Sequence, residues 1–179
     1  MSENNILERL KQTFGDAILE TEVARDMPVA LCAKEKLMDI MGFLRDTPAL
    51  DFNMLTDITA VDYLKYPIKK QQRFEVVYHL YSLDHKHRIR IKVPVGMLDL
   101  SVDTLIPLWK TANWLEREVF DMFGITFNHH PNLKRILNHM EFIGHPLRKD
   151  YPVDKHQVLT TNDSLMDEME LRLKEKGLK

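Results

Sequence analysis

The chain has 179 residues, of which 44% are hydrophobic and 29% are charged, as in an ordinary globular protein. Its 25 basic residues nearly balance its 27 acidic ones, so the composition gives no electrostatic footprint for nucleic acid or anionic lipid. Because Cys32 is the only cysteine, the chain can form no internal disulfide and cannot supply the four thiolates of an iron–sulfur cluster.

The sequence contains no pattern that would place it in a membrane or send it across one. No uncharged apolar run approaches the roughly 20 residues that a membrane-spanning helix needs. Residues 1–5 lack the basic start and apolar stretch of a signal peptide. We therefore expect any attachment to a membrane to be indirect, through partner proteins.

The first part of the chain alternates between helical and extended patterns. Apolar residues at helical spacing predict one helix over residues 6–14 and another over 37–44, the second closed by Pro48. Short apolar runs over 17–23 and 28–33 predict strands between these two helices.

The middle of the chain predicts a β-hairpin. Residues 54–63 are apolar and predict a strand, and residues 73–83 place apolar side chains on one face at period two. A turn at 84–86 leads into 87–93, where apolar and basic residues alternate, as in a sheet with one buried face.

The character of the sequence changes after Gly124. Residues 102–123 are predicted to be rich in helix, and Gly124 stands where a helix commonly ends. Beyond it, Pro131, Pro146 and Pro152 favour extended geometry, yet the segment remains apolar. We therefore expect it to lie across another surface, either its own domain or a partner protein.

These patterns predict one domain of strands and helices, with an extended segment after it. We assign residues 1–123 to that domain and 124–179 to an extended, proline-containing C-terminal arm. Periodicity returns over 162–177, which predicts a short terminal helix.

Four charged residues cluster on the predicted helix before Gly124. Paired carboxylates can perform acid–base catalysis, but Glu116 and Glu118 point in different directions on a helix and cannot share a substrate. Arg117 and Asp121, four residues apart, are predicted to form an ion pair. A solvated or interfacial charged face is therefore the favoured interpretation, with catalysis as the alternative.

Four histidines, His129, His130, His139 and His145, lie close together in the arm. Their spacing matches neither a His-Glu-x-x-His helix nor a zinc finger, and no cysteine accompanies them. We interpret them as hydrogen-bonding groups that fix the chain. The alternative, from a different class of function, is a stand-alone histidine-based metalloenzyme.

Two ordered motifs resemble those of a known family. Residues 116–125, then Phe127, His130-Pro131, Leu133 and 135–137, closely resemble the signature of the C subunits of NADH-quinone oxidoreductase, the 30 kDa family of respiratory complex I. Residues 144–152 resemble its second hallmark, and the segments 57–63, 73–83 and 88–95 are also similar to that family. The resemblance covers roughly residues 50–153. It implies an α+β domain, in which a mixed β-sheet packs with helices, followed by an arm that wraps neighbouring subunits.

The resemblance implies a non-catalytic structural and assembly subunit in the peripheral arm of a proton-pumping enzyme that transfers electrons from NADH to quinone. It implies no cofactor in this chain; FMN, iron–sulfur clusters and quinone are expected on other subunits. The expected partners are the D subunit of complex I and the adjacent cluster-bearing B and I subunits, on the cytoplasmic side of the bacterial inner membrane. The runner-up is the equivalent subunit of a membrane-bound hydrogenase or another donor-quinone oxidoreductase.

The residues expected to bind partners lie in the two motifs. They are Glu116, Arg117, Glu118, Asp121, Phe123, Gly124, His130, Pro131, Arg135, His145, Pro146, Arg148, Lys149 and Asp150. Arg148 is expected to form a salt bridge to a partner. After Pro152 the sequence departs from the family's usual extension, so the terminal helix either makes a contact peculiar to this chain or is a marginal, solvated tail helix. We also expect the chain to be separate from the D subunit.

Overall fold

The computed structural model describes residues 3–68, 70–155, 157 and 163–177. In chain order its elements are α1 (Glu3–Phe14), β1 (Ile18–Ala24), β2 (Met27–Cys32), α2 (Leu37–Asp46), β3 (Met54–Asp62), β4 (Phe74–Tyr81), β5 (Arg88–Val95), β6 (Ser101–Asp103), α3 (Ala112–Phe123), β7 (Thr126–Asn128) and α4 (Asp163–Glu175). Within these residues, five strands form one mixed sheet on which helices pack, so the predicted α+β class is confirmed.

The strands of the described sheet follow the order β1-β2-β5-β4-β3. β1 and β2 form a hairpin whose turn residues, Arg25 and Asp26, have φ angles of 52° and 61°. Such left-handed pairs suit the twist of a two-residue hairpin. β2 then runs parallel to β5, with Ala30 opposite Ile91, whereas β5, β4 and β3 are antiparallel to one another.

One face of the sheet is apolar and faces the helices. In β5 the buried Ile89, Ile91 and Val93 alternate with Arg90 and Lys92, as the sequence predicted. The first two helices add these buried side chains to the same core: Ile6, Leu10, Leu37, Ile40, Met41 and Leu44. Each such burial contributes about 1.5–3 kcal/mol of hydrophobic free energy, so packing holds the helices in place.

The prediction of a helix-rich stretch over residues 102–123 is wrong for its first half. Residues 101–103 form β6, which pairs in parallel with β7, so that Val102 lies opposite Phe127. Because its partner strand, β7, follows much later in the chain, the local sequence pattern does not indicate this pairing. Pro107 also disfavours helical geometry in the residue before it, and α3 begins at Ala112.

The beginning of the arm belongs to the core of the domain. Ile125 is completely buried and Phe127 is 3% exposed, so the core extends past the predicted boundary after residue 123. Residues 129–155 form neither helix nor strand and run over α3 and one end of the sheet. The division into a domain and an arm stays a prediction.

The terminal helix, α4, is present over Asp163–Glu175. Within it Lys174 Nζ lies 4.0 Å from Glu170 Oε2, whereas the side chains of residues 163–168 lie outside the described part. Across the described ranges, no helix is both long enough and apolar enough to cross a bilayer.

Candidate functional site

The helix α3 carries the first motif, and its end positions the arm. Ala112, Val119 and Met122 recur at helical spacing and are buried, so one face of α3 is fixed against the sheet. The helix ends at Gly124, whose φ of 73° is left-handed and whose N–H donates to Phe120 O at 2.8 Å. The chain turns there into the arm.

Glu116 lies in the interior of the protein. Its side chain is fully buried, so the expectation of a solvated charged face is wrong at this position. Thr104 Oγ1 donates to Glu116 Oε2 at 2.5 Å, and the N–H of Leu105 donates to Oε1 at 2.7 Å. Burial nevertheless raises the pKa of Glu116 to about 7, because desolvation outweighs these two hydrogen bonds. Glu116 therefore fixes the loop after β6 to α3.

His130 fixes the arm to the same part of α3. The N–H of Asn132 donates to His130 Nδ1 at 3.0 Å, so Nε2 carries the proton and donates to Asn113 O at 3.2 Å. Its Nε2 also lies 3.9 Å from Glu116 Oε2, and both side chains are fully buried. The interpretation of this histidine as a hydrogen-bonding group that fixes the chain is confirmed.

Asp121 organises the arm around the end of α3. Its Oδ1 accepts hydrogen bonds from Arg135 Nη1 at 2.6 Å and from Asn138 Nδ2 at 3.0 Å. Its Oδ2 accepts the backbone N–H groups of Ile136, Leu137 and Asn138 at 2.8–3.0 Å. Although burial of the carboxyl opposes ionisation, these donors together hold the pKa of Asp121 well below its usual range.

The predicted ion pair between Arg117 and Asp121 is therefore wrong. Asp121 turns toward the arm, where Arg135, Asn138 and the backbone N–H groups of residues 136–138 converge on its carboxylate. Arg117 instead donates from Nε to Lys134 O at 3.0 Å and from Nη2 to Arg135 O at 3.2 Å. Its guanidinium also lies 5.2 Å from the ring centroid of Trp114, a cation–π contact. Arg117, Arg135 and Asp121 thus attach the arm to α3.

The last carbonyls of α3 are bound by the second motif. His145 Nδ1 lies 3.0 Å from Asp121 O, and Arg148 Nε donates to Phe123 O at 2.5 Å. A Cβ on Gly124 would collide with the side chains of both His145 and Arg148. Glycine at this position therefore serves two purposes, the left-handed φ and the close approach of the arm.

A further connection joins the arm to the sheet through Arg73. Its Nη2 lies 2.8 Å from Asp62 Oδ2 and 2.8 Å from Asp150 Oδ1. The N–H of Lys149 also donates to Asp62 Oδ2 at 2.9 Å. The sequence analysis missed Asp62 and Arg73, although Asp62 occupies a position that strand alternation assigns to the buried face.

Comparison with known proteins identifies the family. The family described as "Respiratory-chain NADH dehydrogenase, 30 Kd subunit" matches residues 30–157. The chain belongs to this family. The C subunit of the NADH-quinone oxidoreductase of Geobacter sulfurreducens is 47% identical over 154 residues, which are 86% of this chain and 92% of that protein. The C subunit from Roseiflexus sp. (strain RS-1) is 46% identical over 156 residues, 87% of each chain.

Solved structures agree with this membership. A trypsin-resistant fragment of Nqo5 is 34% identical, with a TM-score of 0.66 over 74% of this chain and 100% of the fragment. A chain of the archaeal membrane-bound sulfane sulfur reductase matches with a TM-score of 0.68 over 86% of this chain and 87% of that one. At 23% identity, the second likeness shows the fold alone.

In this member of the 30 Kd family, the predicted site residues divide into two groups. Those brought together along α3 are Glu116, Arg117, Asp121, Phe123, Gly124, His130, Arg135, His145 and Arg148. Glu118, Pro131, Pro146 and Lys149 have exposed or half-buried side chains, and the exposed Asp150 contacts Arg73. Partner binding by these residues, including a salt bridge from Arg148, stays a prediction. The buried carboxylates contact groups of this chain.

The arm also displays apolar side chains that the chain itself leaves uncovered. They are Leu137 (63% exposed), Met140 (70%), Ile143 (71%), Leu147 (49%) and Val153 (103%). Apolar side chains concentrated on one segment are typical of a surface that a partner covers. Among the described residues, no three His, Cys, Asp or Glu side chains are grouped as metal ligands.

Proposed function

We propose that this chain is a structural subunit of the peripheral arm of NADH-quinone oxidoreductase, and that it performs no chemical step itself. The relatives that match nearly the whole of it are named as the C subunit of that enzyme. In this proposal the complex transfers electrons from NADH to quinone, and the present chain holds neighbouring subunits together.

The observation that carries the proposal is the structure of the irregular arm. Its inner side is fixed to α3 and to the sheet, and its outer side is apolar. Asp121, His130 and Asp62, whose side chains are fully buried, bind the arm through polar contacts that are stronger than the same contacts in water. The arm therefore presents Leu137 and Ile143 in a defined geometry, at little further cost in conformational entropy.

The partners in this proposal are the D subunit and the adjacent cluster-bearing B and I subunits. FMN, the iron–sulfur clusters and quinone are bound by those and other subunits. Attachment to the cytoplasmic side of the bacterial inner membrane is indirect. The exposed apolar side chains of the arm support this proposal, because such side chains concentrated on one segment are typical of a surface that a partner covers.

Co-purification tests the proposal. A tagged form of the full chain is recovered from detergent-solubilised membranes, and the proteins that accompany it are identified by mass. We expect the D, B and I subunits in amounts equal to that of the tagged chain, together with NADH:quinone reductase activity. Recovery of the chain by itself, with full activity remaining in the unbound fraction, would overturn the proposal. A strain carrying the untagged chain serves as the control.

A further inference from the structure

One side chain closes part of the arm into a loop. This part is residues 143–157, of which the structure describes all but residue 156; we name it the 143–157 loop. Gln157 Oε1 accepts the N–H of Ile143 at 2.8 Å, and Gln157 Nε2 donates to Ile143 O, also at 2.8 Å. The amide thus makes the same pair of bonds as a residue of a neighbouring antiparallel strand. Two residues that lie 14 positions apart in the chain are therefore joined.

Tyr151 holds the Gln157 amide in place. The second hydrogen of Nε2 is donated to Tyr151 Oη at 2.7 Å, so the oxygen and both hydrogens of the amide are used. The Tyr151 ring stacks on Phe142, with the ring centroids 5.8 Å apart. It also packs against Gly144, where an added Cβ would lie 2.9 Å from the ring. A side chain at position 144 would therefore displace the ring that supports Gln157.

Contacts with the rest of the domain do not explain this closure. The loop is attached to the domain as far as Asp150, whose carboxylate binds Arg73. The described hydrogen bonds of residues 151–157 all stay within the 143–157 loop. The return of the chain to Ile143 therefore depends on Gln157.

The residue that Gln157 binds belongs to the apolar outer side of the arm. The Ile143 side chain is 71% exposed, and the exposed Leu147 and Val153 lie in the same loop. Because the N–H and the C=O of Ile143 are both bound, its backbone is fixed and its side chain keeps only its own rotamers. This loss of conformational freedom precedes any contact with a partner, and it therefore favours binding.

We propose that Gln157 is a positioning residue, whose amide closes the 143–157 loop and orients Ile143 for contact with a neighbouring subunit. The inference rests on the proposed function, in which other subunits cover the outer side of the arm. When the hydrogen bonds of Gln157 break, the loop opens. Only chains with a closed loop bind well, so the apparent affinity for the partner falls in proportion to the closed fraction.

Hydrogen exchange of the Ile143 amide in the purified full chain tests the closure. Gln157→Ala removes all three hydrogen bonds, and we expect exchange at Ile143 to become about tenfold faster. Tyr151→Phe removes only the bond to Oη and should have a smaller effect. Gln12→Ala, the same change on the exposed face of α1, is the matched control and should leave the exchange unchanged. Equal exchange in Gln157→Ala and in the unaltered chain would overturn the inference.

Gln157→Glu separates hydrogen bonding by the amide from the size of the side chain. Near pH 7 its carboxylate accepts the N–H of Ile143 but cannot donate to Ile143 O or to Tyr151. Below about pH 4 the protonated acid has one donor and one acceptor and can again bind both backbone groups of Ile143. Protection at Ile143, corrected for the intrinsic exchange rate, should therefore recover on acidification in Gln157→Glu but not in Gln157→Ala. The same response in both variants would overturn the inference.

Assembly tests the consequence for the partner. The Gln157→Ala and unaltered chains are co-expressed, and mass spectrometry measures their ratio in the assembled enzyme. We expect this ratio to be about two- to threefold below their ratio in the cell. The melting temperature should stay within about 2 °C, because Gln157 is not part of the core.

The outcomes distinguish this inference from the proposed function. Faster exchange at Ile143 together with an unchanged ratio in the assembled enzyme would overturn the inference and leave the proposed function intact. Absence of the unaltered chain from the complex would overturn the proposed function, and the inference with it.

Discussion

The Asp121 carboxylate accepts a hydrogen bond of 2.6 Å from Arg135, and this ion pair joins the last turn of α3 to the arm that follows it. Arg135 also donates to Gly144 O at 2.9 Å, so one guanidinium connects the two motifs of the sequence. The helix and the arm are therefore parts of one polar network, not independent segments.

Asp121→Asn is expected to lower the free energy of unfolding by about 3 kcal/mol, because it leaves Arg135, whose side chain is only 14% exposed, without its charge partner. The amide group would also face backbone N–H groups that need an acceptor. Urea unfolding measures the loss, and hydrogen exchange should show faster exchange of the amides of residues 136–138. Asp154→Asn, an exposed change on the same arm, is the control and should alter neither quantity. Unchanged exchange at 136–138 in the Asp121 variant would contradict this account.

The raised pKa of Glu116 predicts that the free energy of unfolding falls as the pH rises. Its pKa is raised in the folded chain, from about 4.5 to about 7, so between these values the folded chain keeps a proton that the unfolded chain has released. The free energy of unfolding should therefore decrease across this range, by on the order of 3 kcal/mol in total. The stabilising contribution is complete below pH 4.5 and is lost above pH 7.

Glu116→Gln should remove that dependence, since the amide does not titrate. Unfolding free energies at several pH values between about 4 and 8 give the slope, and the exposed Glu118→Gln provides a control in which the slope persists. If Glu116 has no catalytic role, the Gln variant should also retain NADH:quinone turnover per assembled complex within about twofold. A slope that survives in Glu116→Gln would show that another group titrates.

Gly124→Ala should destabilise the protein by about 1–3 kcal/mol, because alanine is strained at a φ of 73° and its Cβ would displace His145 and Arg148. Gly42→Ala, in α2, is the matched control. No atom lies within 4 Å of the added methyl there, so the change should stabilise the helix by about 0.5–1 kcal/mol. Thermal unfolding of both variants checks the opposite signs; equal effects would contradict the packing described at Gly124.

The two carboxylates bound by Arg73 should differ in their contributions. Asp62 has a fully buried side chain, so Asp62→Asn is expected to cost about 3 kcal/mol. The side chain of Asp150 is 50% exposed, so Asp150→Asn should cost less than about 1 kcal/mol. Chemical unfolding of both variants measures the difference. A larger loss at Asp150 than at Asp62 would be inconsistent with the burial observed.

The sequence predicted those elements whose pattern is local. The alternation of β5 and the periodicity of α1, α2 and α3 depend on neighbouring residues, and all of them are observed. β6 was missed because its partner strand follows only after α3. Tertiary pairing of this kind cannot be read from a short window.

The candidate site was located by sequence, but its contacts were not. The motif indicated Glu116 and Asp121, yet charge and helical spacing alone suggested that both side chains are solvent-exposed. Their burial depends on donors from Thr104 and from residues 135–138, which only the folded chain brings within reach. Asp62 was missed for the same reason, since its partners lie just before the next strand and in the arm.

The central claim is that the outer side of the arm is covered by other subunits. The most direct test replaces both Leu137 and Ile143 by Glu. Native gels separate the assembled NADH-quinone oxidoreductase, and mass spectrometry measures the fraction of this chain that is found in it. These side chains are 63% and 71% exposed, so folding of the chain itself should be unaffected, as a melting temperature within about 2 °C would show.

We predict that the assembled fraction of the double variant falls about tenfold or more, because two carboxylates would be buried against apolar partner surfaces. Leu83→Glu, an equally exposed change on the β4–β5 turn, should assemble like the unaltered chain. Normal assembly of the Leu137→Glu/Ile143→Glu variant, with normal quinone reductase activity, would contradict the account.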